Sequence, residues 1–397
     1  MTLFPDKKDC CACGSCEEAC PKSAISMRED GHGFIYPIID NQKCINCGLC
    51  QKVCAYQHIQ ETNEPKSVYA AVSRNKSQIK KSASGGIFAA LATFVLNRGG
   101  VVYGSSMERN GNKFIIRHRG ITSMEELPLL QGSKYVQSEI GNCYKEIRSH
   151  LVNGKIVLFS GVPCQCAGLK GYLKTGYANL ILIDIICHGV PNQQFFNDYV
   201  NYSFPKLKDI SGFVFRDKSK GWELSGRIDY GQNHHKSVIA GTSSYYTLFL
   251  DAQIYRKSCY SCKYASPQRP GDITIGDYWG IQKEHPELIA YHKLNIQNGV
   301  SCIITNTEKG DAIIAEACDL ITLFPSTYSK VANRNGQLVH PSQEGRFRQQ
   351  ILDIYQTDNY SGVDKFYKKN YRLQRLIHSV FSILPYSVKS LLRQLKS

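Results

Sequence analysis

The sequence has no run approaching the roughly 18 apolar residues that a membrane-spanning helix needs, and its opening, MTLFPDKKD, shows no apolar leader. A chain working in a reducing cytoplasm is the expectation. Gly-x-Gly-x-x-Gly is absent, which removes the Rossmann dinucleotide fingerprint. No repeat occurs apart from one cysteine pattern, which removes solenoids and propellers. Acidic residues are scarce beside basic ones, 33 against 48, for a formal charge of +15. No nucleic-acid recognition motif accompanies that excess, so nucleic acid is not an expected partner. Much of the excess sits in one place, since residues 361–397 hold eight Lys or Arg and one acidic residue. The stretch LIHSVFSILPYSVKSLLRQLK reads as a helical tail packing its apolar stripe on the body, or as a peripheral contact with an anionic membrane or acidic partner.

Cysteine, by contrast, is plentiful, with seventeen in 397 residues. Cys10, Cys13, Cys16 and Cys20 follow C-x2-C-x2-C-x3-C, and Cys44, Cys47, Cys50 and Cys54 repeat it. At this spacing three thiolates take three corners of a 4Fe–4S cube and the fourth reaches a second cube. Cys10, Cys13, Cys16 and Cys54 therefore form one ligand set, and Cys44, Cys47, Cys50 and Cys20 the other. Cys11 falls outside the register and reads as a spectator. Ala55 stands where proline usually follows the second run, which removes no ligand. A disulfide framework suits short secreted domains, and zinc ribbons use paired C-x2-C units rather than two runs of four. Neither describes this pattern.

The predicted fold is a small two-cluster ferredoxin module, α+β, followed by a mixed α/β body. Residues 1–60 form the module, with AISMREDGHGFIYPIID as a hairpin turning at Gly31 and Gly33. ETNEPK, residues 61–66, reads as the linker. SVYAAVS and VVYGSSM read as strands. The helix between them carries Ile87, Phe88, Leu91, Phe94 and Val95 on one face. GKIVLFSGVPCQCAGLKGYLK followed by NLILIDIICHG reads as one βαβ unit with parallel neighbouring strands. Cys164 and Cys187 then fall just past the C-terminal ends of those strands, the edge where open α/β sheets bind ligands. A C-x2-C pair, Cys259 and Cys262, precedes a third short strand and a Gly-Asp turn. Spacing alone leaves open whether these four thiols hold metal, because cysteine is also a common small core residue.

Taken in order, SASGGIFAAL, LQGSKYVQS, SGVPCQCAGL, ICHGVPN, CYSCKYASPQRPGDITIGDYWG and NGVSCIITNTEKG resemble the coenzyme F420 hydrogenase/dehydrogenase beta-subunit family, in its version with a fused two-cluster ferredoxin. The resemblance runs from about residue 5 to 325 and divides the body into 67–148, with a flavin loop, and 149–325, leaving 326–397 as a basic helical tail. It implies an oxidoreductase with 4Fe–4S clusters and FAD, exchanging a hydride with a small substrate or coenzyme (F420-like or other). Ferredoxin or a redox subunit would be its electron partner. The alternative is a non-enzymatic electron-transfer subunit or docking module.

The resemblance further implies FAD contacts at Ser82, Ser84, Gly85 and Gly86, a helix start whose amides suit phosphate, and at Gln131, Gly132, Ser133, Lys134, Tyr135, Gln137 and Ser138. Lys134 would face the pyrophosphate or the ring carbonyls. Without the resemblance, Ser84 reads as a plain N-cap and Lys134 as a surface lysine. A third cluster would take Cys164, Cys187, Cys259 and Cys262, with Cys166 as the alternative to Cys164. Asp277 reads as a turn cap, His188 as structural, and Cys143, Cys302 and Cys318 as core or inert thiols.

Overall fold

A computed structural model describes residues 3–383 apart from 59, 223 and 292. The last part of the predicted tail, 384–397, lies outside the described residues.

The module's hairpin pairs β1 (Ile25–Glu29) with β2 (Ile35–Ile39), antiparallel, with Ile25 opposite Ile39. Its two cysteine runs are built alike. Gly14 and Gly48 each adopt a left-handed φ, +79° and +71°, and each starts a four-residue helix, Ser15–Glu18 and Leu49–Lys52. Only a residue without a Cβ turns this way at little cost. The Cys-Gly-x-Cys units therefore fold back on themselves at both sites.

Beyond the linker, the strands are β3 (Val68–Ser73), β4 (Val101–Asn110), β5 (Lys113–Ile121), β6 (Val157–Gly161), β7 (Leu180–Ile185), β8 (Ile210–Val214), β9 (Ser225–Tyr230), β10 (His234–Ile239), β11 (Ile273–Asp277), β12 (Ser301–Thr305) and β13 (Ile321–Pro325). Eight of them form one mixed sheet in the order β13-β3-β12-β11-β7-β6-β4-β5. Its middle, β11-β7-β6-β4, is parallel, and both flanks are antiparallel. The expected βαβ unit is β6, the helix Pro163–Leu173 and β7, paired from Val157/Leu180 to Gly161/Asp184. Strands covered on both faces read as unbroken apolar runs, and β6 and β12 are buried throughout. Helices Cys143–Val152 and Pro163–Leu173 cover one face, and Ile87–Leu96 covers the other.

The helix Ile87–Leu96 departs from the expected single apolar face. Ala89, Ala90, Ala92 and Leu96 are buried as well, while Phe88 is only part-buried. The alanines let neighbouring elements close around the helix, and Phe88 is left on its open side.

A second core was not foreseen. Phe195, Phe196, Tyr199, Phe213, Phe215, Tyr245 and Tyr246 pack with Tyr355, Tyr360 and Tyr367, beside the small antiparallel sheet β10-β9-β8. The tail's first long helix, Arg348–Asn370, therefore belongs to the body. The next, Arg372–Ile383, exposes Leu373, Leu376, Ile377 and Val380. No helix among the described residues is long and apolar enough to cross a membrane.

Candidate functional site

The crossed arrangement of the module's cysteines is visible in what surrounds each thiol. Cys10, Cys13, Cys16 and Cys54 are close enough that their charges disfavour one another, and burial pushes Cys10 up to about 12. Cys20 lines one small pocket with Cys44, Cys47 and Cys50. Thiolates so placed repel unless a cationic centre lies among them, and such a centre would release their protons. Four thiolates to each group are the donor set that a 4Fe–4S cluster takes.

The third set forms where the parallel strands end. β6 stops at Gly161, and Val162 and Pro163 start the next helix with Cys164 in its first turn. Cys187 lies just past β7. The 3-10 turn Lys257–Ser261 presents Cys259, and Cys262 follows it. All four thiols line one cleft. Burial pushes Cys259 up to about 12, with Cys262 adding to it. For Cys164, a contact with Cys11 pulls down, while burial and the thiolates of Cys262, Cys187 and Cys259 bring it to about 11. Cys166 instead points into the core, its Sγ 3.4 Å from the carbonyl of Ile183. Of the two alternatives, Cys164 is the one gathered with the others.

The C-x2-C loop is held over the sheet edge by a buried ion pair. Arg269 donates from Nε and Nη2 to Asp184 Oδ1 at 2.9 and 2.6 Å, and the amide of Gly271 and the hydroxyl of Thr274 complete the carboxylate's partners. The module is pinned to the same loop. Tyr56 Oη donates to the carbonyls of Ser258 and Ser261 at 2.7 and 2.8 Å, and Tyr264 Oη donates to that of Ala55. Buried Arg256 donates to Ile35 O at 2.7 Å and to Gln137 Oε1 at 2.9 Å. Cys11 is buried with Tyr56 and Tyr264 in one cluster that holds Cys13 and Cys54 of the first thiol set and Cys164 and Cys262 of the third.

The cleft, about 560 Å³, opens along the C-terminal ends of β6, β7 and β11 and beside Gly104 and Ser105 in the middle of β4. That volume falls within the roughly 300–1,000 Å³ of cofactor and small-molecule sites. Ser82, Ser84, Gly86 and the whole of Gln131–Ser138 line it. Gly85 does not. It is wedged between strands, where a Cβ would stand 2.6 Å from Ala71 O and 2.8 Å from Ser301 N, and its amide is bound to Ser301 Oγ at 3.0 Å. Ser84 Oγ donates to Val300 O at 2.9 Å rather than capping the helix. The amides left for an anion are those of the first turn, Ile87 to Ala89, which have no intrahelical partner.

Lys134 is a part-buried residue of the cleft lining whose ammonium is already engaged. Its ammonium donates to the carbonyls of Leu129, Leu130 and Gln131 at 3.0–3.4 Å, capping a short helix. Burial pulls it down to about 7, against carbonyls that favour its charged form. Gln137 Nε2 donates to Cys11 O at 3.1 Å, and Ser138 Oγ bonds His118 Nδ1 at 2.8 Å. These two support the wall of the cleft. Asp277 ends β11 and accepts from Arg216 Nη1 and Trp222 Nε1 at 3.1 and 3.0 Å, so it caps no turn. His188 lines the cleft, and its carbonyl accepts from Ser342. Cys143 and Cys302 are buried, and Cys318 is exposed.

Several cleft residues escaped the sequence reading. His118 is buried, stacked on Phe159 at 5.1 Å, and held neutral with its pKa down to about 4 by burial. Lys218 clamps the carbonyls of Ser84 and Asn298, each at 2.7 Å. Arg216 and the stacked pair Trp222–Trp279 sit together at the end of β11. No local spacing marks any of them. The one available signal was that these are the chain's two tryptophans.

Two stretches of the chain match known families. Residues 154–324 match the family model for the C terminus of the coenzyme F420 hydrogenase/dehydrogenase beta subunit. Residues 9–58 match that of a 4Fe-4S dicluster domain. No curated protein matches. Similar solved structures include a chain of the xenon-derivatized F420-reducing [NiFe] hydrogenase complex from Methanosarcina barkeri, 14% identical, with a TM-score of 0.46 over 80% of this chain and 96% of that one. The chain therefore carries an iron–sulfur dicluster domain followed by a region similar to the C terminus of the coenzyme F420 hydrogenase/dehydrogenase beta subunit.

Proposed function

We propose that this protein is an FAD-dependent oxidoreductase with three 4Fe–4S clusters. Cys10, Cys13, Cys16 and Cys54 hold the first, Cys20, Cys44, Cys47 and Cys50 the second, and Cys164, Cys187, Cys259 and Cys262 the third. Clusters move single electrons, whereas a flavin collects two and exchanges a hydride. Its hydride partner is a small substrate or coenzyme, F420-like or other, and electrons are exchanged with ferredoxin or a redox subunit.

One observation carries this reading. The third thiol set and the helix start at Gly86 line a single cleft, and Cys11 packs between that set and the module in one buried cluster. The first-turn amides and the helix dipole favour a pyrophosphate. Lys218 fixes the loop before them, and Gln131 reaches Ser82 Oγ across it at 3.4 Å. Phe88 offers an apolar wall beside Gly104.

Anaerobic purification with quantitation of iron, sulfide and FAD tests the proposal. The expected content is one FAD and about twelve irons per chain, at roughly four per cube. Iron and sulfide without FAD would leave an electron-transfer subunit and sink the enzyme reading.

A further inference from the structure

Arg216 follows β8, and its side chain is 1% exposed. One edge of the guanidinium is used: Nη1 donates to Asp277 Oδ2 at 3.1 Å and to Tyr135 Oη at 3.3 Å. The other edge, Nε and Nη2, is shielded from solvent and has no protein partner. Buried donors without acceptors are rare because they forgo the hydrogen bonds that water would give. Nε and Nη2 are also the pair that grips a carboxylate or phosphate through two parallel bonds.

The surroundings specify more than a charge. Arg216 lines the cleft, and its guanidinium stands 5.2 Å from the ring of Trp279, which lines it too. Trp279 is stacked on Trp222 at 4.8 Å with 9° between the planes. Asp277 braces both parts, accepting from Arg216 and from Trp222 Nε1. Lys218, the other cation nearby, is committed to two carbonyls. The site therefore offers one forked cationic edge beside a rigidly held indole that lines the same cleft.

We propose that the Arg216 edge is a subsite for a single oxyanion, a carboxylate or phosphate, carried by a planar compound that lies against Trp279. The compound is the cleft's hydride partner, an assignment that rests on the function proposed above. The anion contact itself does not.

Benzoate and benzamide, nearly equal in size and shape, separate charge from stacking. Calorimetric titration of the anaerobically purified full-length protein should show benzoate binding roughly tenfold or more tighter than benzamide. Benzoate should also change the tryptophan emission, since Trp222 and Trp279 are the chain's two. Arg216→Lys, which keeps the charge and loses the fork, and Trp279→Leu should each weaken benzoate by roughly tenfold with iron and FAD content unchanged. Equal affinity for the two probes, or benzoate binding indifferent to Arg216→Lys, overturns the inference. Loss of FAD from Arg216→Lys with benzoate affinity intact overturns it as well, and assigns the edge to the flavin's own phosphates. Protein without FAD that still prefers benzoate through Arg216 upholds the subsite while defeating the flavin reading. If a variant fails to fold, the comparison of probes on the parent protein decides.

Discussion

Arg269 and Asp184 meet with 1% and 0% of their side chains exposed, the guanidinium 2.6 Å from the carboxylate. Removing one partner of such a pair strands a buried charge, at a cost of about 3–5 kcal/mol. Arg269→Gln and Asp184→Asn should each lower the thermal midpoint by that equivalent. They should also free the Cys259–Cys262 loop, so iron should fall by about one cube's four atoms. Full iron content in either variant would show that the pair does not hold that loop.

The four cleft thiols can be tested one at a time. Cys187→Ala and Cys259→Ala should leave roughly eight irons per chain where the parent holds about twelve. Cys166→Ala, in the core, and Cys318→Ala, on the surface, should leave iron unchanged. Eight irons in the parent, or bound zinc in place of the missing four, would instead favour a structural zinc site.

At the helix start, the test must avoid Gly85, because any side chain there collides with Ala71 and Ser301. Gly85→Ala and Gly85→Asp should destabilise the fold alike and report nothing about phosphate. Phe88→Glu places a carboxylate in the cleft from a part-buried position at the core's edge. Repulsion in a partly desolvated site should lower FAD content sharply with iron retained. Undiminished FAD in Phe88→Glu would argue against this end of the cleft.

His118 makes stability depend on pH. Burial lowers its pKa to about 4 in the fold, against about 6.5 unfolded. Below the unfolded value the unfolded chain binds the extra proton, so stability is full above pH 6.5 and is lost as pH falls towards 4. The loss is on the order of 3 kcal/mol across that window. His118→Gln should flatten the fall in thermal midpoint between pH 6.5 and 4 relative to the parent, whatever it does to stability at pH 7. An unchanged pH profile would show that His118 is not the group responsible.

What the sequence revealed and what it hid divide along physical lines. Ligand spacing and strand periodicity are local, and they placed the hairpin and the β6–β7 unit and marked the two cysteine runs. Cys164 and Cys187 are 23 positions apart, yet parallel pairing of two buried strands brings both to one edge. The aromatic core has no such local sign, because Phe195, Phe213, Tyr245 and Tyr360 come from segments spread over more than 160 residues. Gly85 misled for a related reason. Its neighbours, two strand backbones, are set by tertiary packing. Cys11 was set aside on register alone, and register says nothing about what a second domain presses against it.

The same packing determines how the electrons can be delivered. Carriers that swing on a flexible tether spend part of each cycle searching for their target. Here Arg256, Tyr56 and Tyr264 bolt the N-terminal module to the body from several sides, and Ser15 Oγ donates to Gly168 O at 2.8 Å. The gap between donor and acceptor is therefore set once, when the chain folds. The linker at residues 61–66 is itself held to the body, Asn63 exchanging backbone hydrogen bonds with Arg269 at 2.8 and 2.9 Å, so the module behaves as fixed wiring with no arm to move.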